Sequence, residues 1–118
     1  MERRALVLDA NILIRAVLGQ RVRRILEAHC DDISFYVSES AYAEAEGTWP
    51  GFGTIVSQDL YGDFEAEARK RLGARDPEDW PILAAALALG CPIWTEDTDF
   101  FGCGVATWTC ASISSFLG

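Results

Sequence analysis

The amino-acid sequence predicts an α/β protein, a three-layer α/β/α arrangement around a central parallel sheet of about four to five strands. Short apolar segments alternate with helical segments along the chain, which is typical of βαβ units. These apolar segments contain few polar residues, as expected for strands that helices cover on both faces. The 118 residues, of which 50% are hydrophobic, are enough for a single domain, residues 1–118, with its own core.

The first half of the chain predicts a strand, two helices, a strand and a helix, at residues 5–8, 12–18, 21–28, 33–37 and 39–46. Gly19 separates the first two helices, and the second strand is rich in β-branched and aromatic side chains. Ser38 is a typical N-cap for the third helix, and Gly47 is a typical stop. A loop is expected at residues 48–53, whereas residues 54–62 favour neither a helix nor a strand.

The second half predicts two helices, two strands and a short closing helix, at residues 63–72, 77–89, 91–95, 105–109 and 112–117. The first of these helices is charged, with Glu and Arg four residues apart. Asp76 is expected to cap the next helix, with Pro77 as its first helical residue. Residues 82–89 are apolar on every face, so this helix is expected to be buried.

Charge is unevenly distributed along the chain. The net charge is −8, all 10 basic residues lie at or before Arg75, and six acidic residues follow it without any Lys or Arg. An acidic protein repels polyanions on average. A nucleic-acid substrate would therefore require a local basic patch or a bound metal ion.

The cysteines and the hydropathy predict a soluble, cytoplasmic protein. Four cysteines occur without a C-x-x-C pair, so we expect reduced and mostly buried thiols. Asp9 and Asn11 interrupt the first apolar segment, which is unlike a signal peptide. No segment approaches the ~18–20 continuous apolar residues that a membrane-spanning helix needs.

Acidic residues occur where the predicted strands end. Right-handed crossovers place the carboxyl ends of parallel strands at one edge of the sheet. Asp9 directly follows the first strand, and three acids follow the strand at residues 91–95. Four chain segments can thus deliver carboxylates to this edge: Asp9, the helix that begins after Val37 and contains Glu44, the loop at residues 96–99, and the start of the helix that contains Asp79, if that helix follows a crossover.

Crowded carboxylates repel one another, and a bound cation relieves this repulsion. Oxygen ligands without clustered His or Cys select a hard ion such as Mg²⁺ or Mn²⁺. Such an ion can bind phosphate oxygens and activate water. Metal-dependent hydrolysis of a phosphodiester is therefore the chemistry that this pattern favours.

Several of these acids have an alternative interpretation. Asp9 could be a strand-end turn residue, and Asp79 could simply be a favourable first-turn acid. Glu46 competes with Glu44, although Glu46 lies closer to the glycine stop. In an extended loop Asp97 and Asp99 would share one side with Glu96 on the other, which leaves the choice between the two aspartates open.

The motifs L-D-A-N at residues 8–11 and T-E-D-T-D-F at residues 95–100 resemble those of the PIN domain, the ribonuclease fold of VapC-type toxins. Glu44 and Asp79 lie between them in the order and at the spacing of that family. The resemblance covers nearly the whole chain. It implies a parallel sheet between helices and Mg²⁺- or Mn²⁺-dependent cleavage of RNA.

The resemblance also implies the roles of individual residues and the partners. The catalytic metal ligands would be Asp9, Glu44, Asp79 and Asp97, with Asp99 as a fifth acid and with Asn11 and Thr95 as polar supports. The protein would be the toxin of a toxin–antitoxin pair. Its partners would be RNA, an antitoxin protein and a second copy in a homodimer, and no membrane.

The basic residues allow two interpretations. They could be solvated helix faces balanced by neighbouring Glu residues. Alternatively, a group of them could contact the RNA backbone, with Arg15, Arg21 and Arg24 as the candidates, and each contact would add salt dependence.

Other functional classes fit less well. A receiver-type signalling domain would need a Lys after the last strands, and no Lys follows Lys70. A haloacid-dehalogenase-type phosphatase would need D-x-D after the first strand, where this chain has Asp9-Ala10-Asn11. The remaining alternative is a catalytically inactive PIN-like module that binds protein or RNA.

Overall fold

In the computed structural model, which describes residues 4–44, 53–73, 79–97, 100 and 102–117, five strands form one parallel sheet. The strands are β1 (Arg4–Leu8), β2 (Ile33–Ser38), β3 (Thr54–Val56), β4 (Ile93–Trp94) and β5 (Thr107–Trp108). Their order in the sheet is β3-β2-β1-β4-β5, and each neighbouring pair is parallel. The predicted α/β class and parallel sheet are confirmed.

The described part of the chain has seven α-helices, six that lie between strands and one that follows β5. They are α1 (Ala10–Leu18), α2 (Arg21–His29), α3 (Glu39–Glu44), α4 (Gln58–Tyr61), α5 (Glu65–Leu72), α6 (Trp80–Leu89) and α7 (Ile113–Leu117). A 3₁₀ turn at Gly62–Phe64 precedes α5, which therefore begins later than residue 63. None of the described helices is long and apolar enough to span a bilayer.

The sequence did not predict β3. This strand has only three residues at the edge of the sheet, and Thr54 and Ile55 are exposed. A three-residue strand with one buried side chain leaves no periodic pattern to detect. The predicted start of α6 at Asp76 and Pro77 lies outside the described residues, as do the predicted last two residues of α3.

Helix α6 packs on one face of the sheet and is buried, as its apolar sequence predicts. Its residues 80–86 are all buried, and the helix packs against β1, β2 and β4. Gly90 ends it in a left-handed conformation, with φ 65° and ψ 39°, and its N–H donates to the carbonyl of Ala86. The chain then enters β4 at the amino edge of the sheet, so α6 runs antiparallel to the strands and begins at the carboxyl edge.

The central strand β1 lies where the order of the strands in the sheet changes direction. β1 pairs with β2 on one side, through Leu8 and Val37, and with β4 on the other, through Leu8 and Trp94. The strand order therefore reverses direction between β1 and β4. Open parallel sheets bind ligands outside the carboxyl ends of the strands at such a switch point.

Candidate active site

Asp9 lies at the switch point, where β1 ends and α1 begins. It is the N-cap residue of α1, and its Oδ1 accepts a hydrogen bond from the Ala10 N–H at 2.6 Å. Its Oδ2 accepts a hydrogen bond from the Thr95 hydroxyl at 2.5 Å. Only 8% of Asp9 is exposed, so this carboxylate is held inside the edge of the sheet rather than in open solvent.

The carboxyl group of Asp9 has a raised pKa. Burial is the main cause, and the nearby carboxylate of Asp97 adds to it. Hydrogen bonds from Thr95 and Ala10 lower the pKa but do not compensate. The ionised form of Asp9 is therefore destabilised by the protein alone, and a cation beside it would be favourable.

Thr95 connects the two acids that the structure brings together. The Asp9 N–H donates to the Trp94 carbonyl at 3.1 Å, which sets the end of β1 beside the residue that follows β4. Thr95 is fully buried, and its hydroxyl oxygen accepts a hydrogen bond from the Asp97 N–H at 2.9 Å while it donates to Asp9. A single hydroxyl thus fixes the Asp9 side chain and the Asp97 backbone.

Asn11 lies on the other side of Asp9. Its Nδ2 is 3.4 Å from Asp9 Oδ2, at the long end of the hydrogen-bond range. Its Oδ1 is buried and accepts no hydrogen bond from the residues that the structure describes. Buried acceptors normally have a partner, so this oxygen is available to a bound ion or to a water molecule on that ion.

Glu96 points away from the two aspartates, as the alternation of the loop predicts. Its carboxylate accepts a hydrogen bond from the Cys110 N–H. Burial alone would raise its pKa, but the Cys110 hydrogen bonds and the charges of Arg15 and Arg21 outweigh this effect and lower the pKa. Glu96 is therefore held ionised on the β5 side of the edge.

The three candidate RNA-binding arginines have different surroundings. Arg21 Nη2 donates to the Cys110 carbonyl at 2.9 Å, and Arg15 Nη1 lies 4.0 Å from the Cys110 sulfur. Arg24 lies on the exposed face of α2 and donates to Gln20. Contact with RNA stays a prediction for all three. The link between Arg21, Cys110 and Glu96 was missed, because nothing in the sequence pairs residues 96 and 110.

The other predicted ligands are only partly described. Asp79 is half-buried and is the N-cap residue of α6, at the carboxyl edge of the sheet. Glu44 ends α3, which begins immediately after β2, but its side chain lies outside the described residues. Glu46 and Asp99 also lie outside them, so the choice between Glu44 and Glu46 and the role of Asp99 stay predictions.

The described residues supply donor atoms that suit a hard divalent cation, but they do not form a complete metal site. Among residues 4–44, 53–73, 79–97, 100 and 102–117, no three His, Cys, Asp or Glu side chains are grouped closely enough to hold a metal ion. The structure brings Asp9 and Asp97 together, and it does not add Asp79 to them. The donors at this edge are oxygens, including the Asn11 amide oxygen, which suits Mg²⁺ or Mn²⁺.

Comparison with known proteins agrees with this fold. The family model for the PIN domain matches residues 7–50 and 52–117. No curated protein sequence matches the chain.

Three solved structures with a similar fold include a toxin–antitoxin complex. VapBC2 from Rickettsia felis, bound to a DNA fragment from its promoter, has a TM-score of 0.67 at 16% identity, covering 89% of this chain and 98% of that one. A toxin–antitoxin complex from Klebsiella pneumoniae has a TM-score of 0.65 at 21% identity, covering 82% and 91%. FitAcB from Neisseria gonorrhoeae has a TM-score of 0.57 at 19% identity, covering 90% and 98%. With the family model matching almost its whole length, the chain belongs to the PIN domain family.

Proposed function

We propose that this protein is a metal-dependent endoribonuclease that hydrolyses RNA phosphodiester bonds as the toxin of a toxin–antitoxin pair. The observation that carries the proposal is that Asp9 and Asp97 lie together at the switch point of the sheet, where the buried Thr95 hydroxyl bonds to the carboxylate of Asp9 and to the backbone N–H of Asp97. PIN domains are a nuclease family, and membership of that family supports the same chemistry.

The proposed metal ligands are Asp9, Glu44, Asp79 and Asp97, with Asp99 as a fifth acid. Mg²⁺ or Mn²⁺ bound there would supply positive charge for the scissile phosphate and would lower the pKa of a water molecule. Thr95 and Asn11 act on the protein side of the site. Thr95 fixes the rotamer of Asp9, and Asn11 offers its amide oxygen beside the same carboxylate.

The electrostatics of the edge make RNA binding depend on the metal. The net charge of the protein is −8, and Asp9 and Asp97 present like charges to an approaching phosphate. A divalent ion reverses the local sign, so RNA and metal are expected to bind cooperatively. A substrate without phosphate charge would gain nothing from this arrangement.

An antitoxin protein is part of the proposal, as are a homodimer and a cytoplasmic location. One structurally similar chain occurs in a toxin–antitoxin complex from Klebsiella pneumoniae. Helix α1 exposes Ile14, Val17 and Leu18, and Leu18 is 82% exposed. Exposed apolar side chains that cluster on one helix are typical of a surface that another protein covers.

RNA cleavage by the purified protein tests the proposal. Single-stranded RNA would be incubated with Mn²⁺, with Mg²⁺ and with chelator, for the wild type, Asp9→Asn and Asp97→Asn. We expect cleavage with either metal, none with chelator, and a loss of at least about a hundredfold in both variants, because each removes a charged ligand.

Asp31→Asn is the matched control, because Asp31 is an exposed acid that precedes β2 at the opposite edge of the sheet. It removes the same charge and should cleave like the wild type. Equal cleavage by Asp9→Asn and the wild type would contradict the proposed site. Failure to cleave any RNA, together with no Mn²⁺ binding by calorimetry, would instead favour a catalytically inactive PIN-like binding module.

A further inference from the structure

The strongest unassigned feature is a cluster on the β5 side of the edge, where side chains from α1 and α2 meet the loops after β4 and β5. Cys110, just after β5, is held at both ends of its backbone. Its N–H donates to the Glu96 carboxylate at 2.5 Å, and its carbonyl accepts a hydrogen bond from Arg21 at 2.9 Å. This cluster joins four separate segments of the chain next to the proposed metal ligand Asp97.

The cluster fixes the loop on the side opposite to Thr95. Residues 95, 96 and 97 alternate: the Thr95 side chain bonds to Asp9, and the Glu96 side chain bonds to Cys110. The Asp97 N–H returns to the Thr95 hydroxyl. Asp97 thus follows two consecutive residues whose side chains are hydrogen-bonded to other segments. Loss of either hydrogen bond would make the Asp97 backbone more mobile.

The arginines complete the anchor. Arg21 on α2 donates to the Cys110 carbonyl at 2.9 Å, and Arg15 on α1 lies 4.0 Å from the Cys110 sulfur. In the described part of the chain neither arginine forms an ion pair with Glu96. Arg21 and Glu96 bind the two peptide groups on either side of the Cys110 Cα, Arg21 through the carbonyl and Glu96 through the N–H. Arg21 is exposed at the surface, but its guanidinium donates to a part-buried backbone carbonyl on the loop after β5, and so it links α2 to that loop.

The geometry points to Arg21 and Glu96 as positioning residues that hold the Asp97 loop through the backbone of Cys110, rather than to Arg21 as an RNA contact. Their effect on cleavage rests on the proposed function. The anchor itself does not, because it can be measured as the protection of individual amides.

Amide hydrogen exchange of the isolated protein tests the anchor, with Arg21→Met, Glu96→Ala and Glu96→Gln as variants. Arg21→Met and Glu96→Ala should each speed exchange at the Cys110 and Asp97 amides roughly tenfold, since each removes a charge-assisted hydrogen bond. Glu96→Gln keeps an oxygen for the Cys110 N–H and should fall between them and the wild type. Unchanged exchange in Arg21→Met would overturn the inference, whether or not the protein is a nuclease.

Arg23→Met is the matched control, because Arg23 lies on the same helix and pairs with Glu27 instead. If the wild type cleaves RNA, Arg21→Met should weaken Mn²⁺ binding and lower kcat while KM for RNA stays within about twofold of the wild type, and Arg23→Met should change neither. A higher KM with a shallower salt dependence and unchanged Mn²⁺ affinity in Arg21→Met would identify Arg21 as a phosphate contact and overturn the inference.

Discussion

The hydroxyl of Thr95 lies 2.5 Å from Asp9 Oδ2, and this contact joins the ends of β1 and β4 at the switch point of the sheet. Both residues are buried, and Thr95 has no exposed surface. The same hydroxyl receives the Asp97 N–H at 2.9 Å. Thr95 therefore fixes the Asp9 carboxylate relative to the backbone of Asp97.

Thr95→Val should destabilise the protein and weaken metal binding. Valine has nearly the same shape but removes one donor to Asp9 and one acceptor for Asp97, so we expect a loss of about 1–3 kcal/mol in the free energy of unfolding. Urea unfolding and Mn²⁺ calorimetry measure the two effects. Thr95→Ser keeps the hydroxyl and serves as the control. A valine variant with wild-type Mn²⁺ affinity would show that the hydroxyl does not position the ligands.

Stability without metal should respond to pH through Asp9. Burial and the Asp97 charge raise its pKa in the folded protein above the ordinary value of 3.8. Between 3.8 and the raised value the folded state binds more protons than the unfolded state, so the free energy of unfolding falls as the pH rises. Above that window the loss is complete.

Asp9→Asn lacks this titration. Urea unfolding of both proteins in chelator, from about pH 3 to about pH 7, should show the variant gaining stability relative to the wild type as the pH rises through the window. Asp31→Asn should follow the wild type instead. Parallel curves for Asp9→Asn and the wild type would mean that the Asp9 carboxyl is not destabilised by folding.

Gly90→Ala should cost about 1 kcal/mol of stability through the backbone alone. Gly90 has φ 65° at the end of α6, and a Cβ built there would have no atom within 4 Å. Gly90→Asn should cost less, because asparagine tolerates the left-handed conformation better than alanine. Thermal unfolding ranks the three proteins. An alanine variant as stable as the wild type would contradict the expected backbone strain of alanine at this position.

Arg4→Met should loosen the closing helix. Arg4 donates to the carbonyls of Phe116 and Leu117, and its guanidinium lies 5.1 Å from the centre of the Phe116 ring. Because these contacts are exposed, we expect a loss of about 1 kcal/mol and faster amide exchange in α7. Arg4→Lys keeps the charge but lacks the planar guanidinium, so its stability and its α7 amide exchange should lie between those of the wild type and Arg4→Met. Unchanged exchange in α7 would show that Arg4 does not hold it.

The sequence predicted the fold class because the buried elements carry strong patterns. β1 is apolar at residues 5–8, and α6 is apolar on every face, so both were predictable without tertiary information. The same argument located Asp9 and Asp97, since parallel strands end at a common edge. The exposed edge strand β3 carried no such pattern.

The contacts around these acids were less predictable. The bond between Thr95 and Asp9 requires the register that sets Leu8 beside Trp94, and pattern analysis does not give registers. The role of Cys110 depends on how β5 ends beside β4. The predicted ligand Asp79 lies at the expected edge, and its contribution to a metal site stays a prediction.

The most direct test of the central claim is a crystal structure of the protein with Mn²⁺, in which anomalous scattering locates the ion. The account predicts an anomalous peak bonded to carboxylate oxygens of both Asp9 and Asp97, and no such peak in Asp97→Asn crystals grown with the same Mn²⁺. The same map would show whether Glu44, Asp79 or Asp99 completes the coordination. A peak elsewhere on the protein, or none at saturating Mn²⁺, would contradict the account.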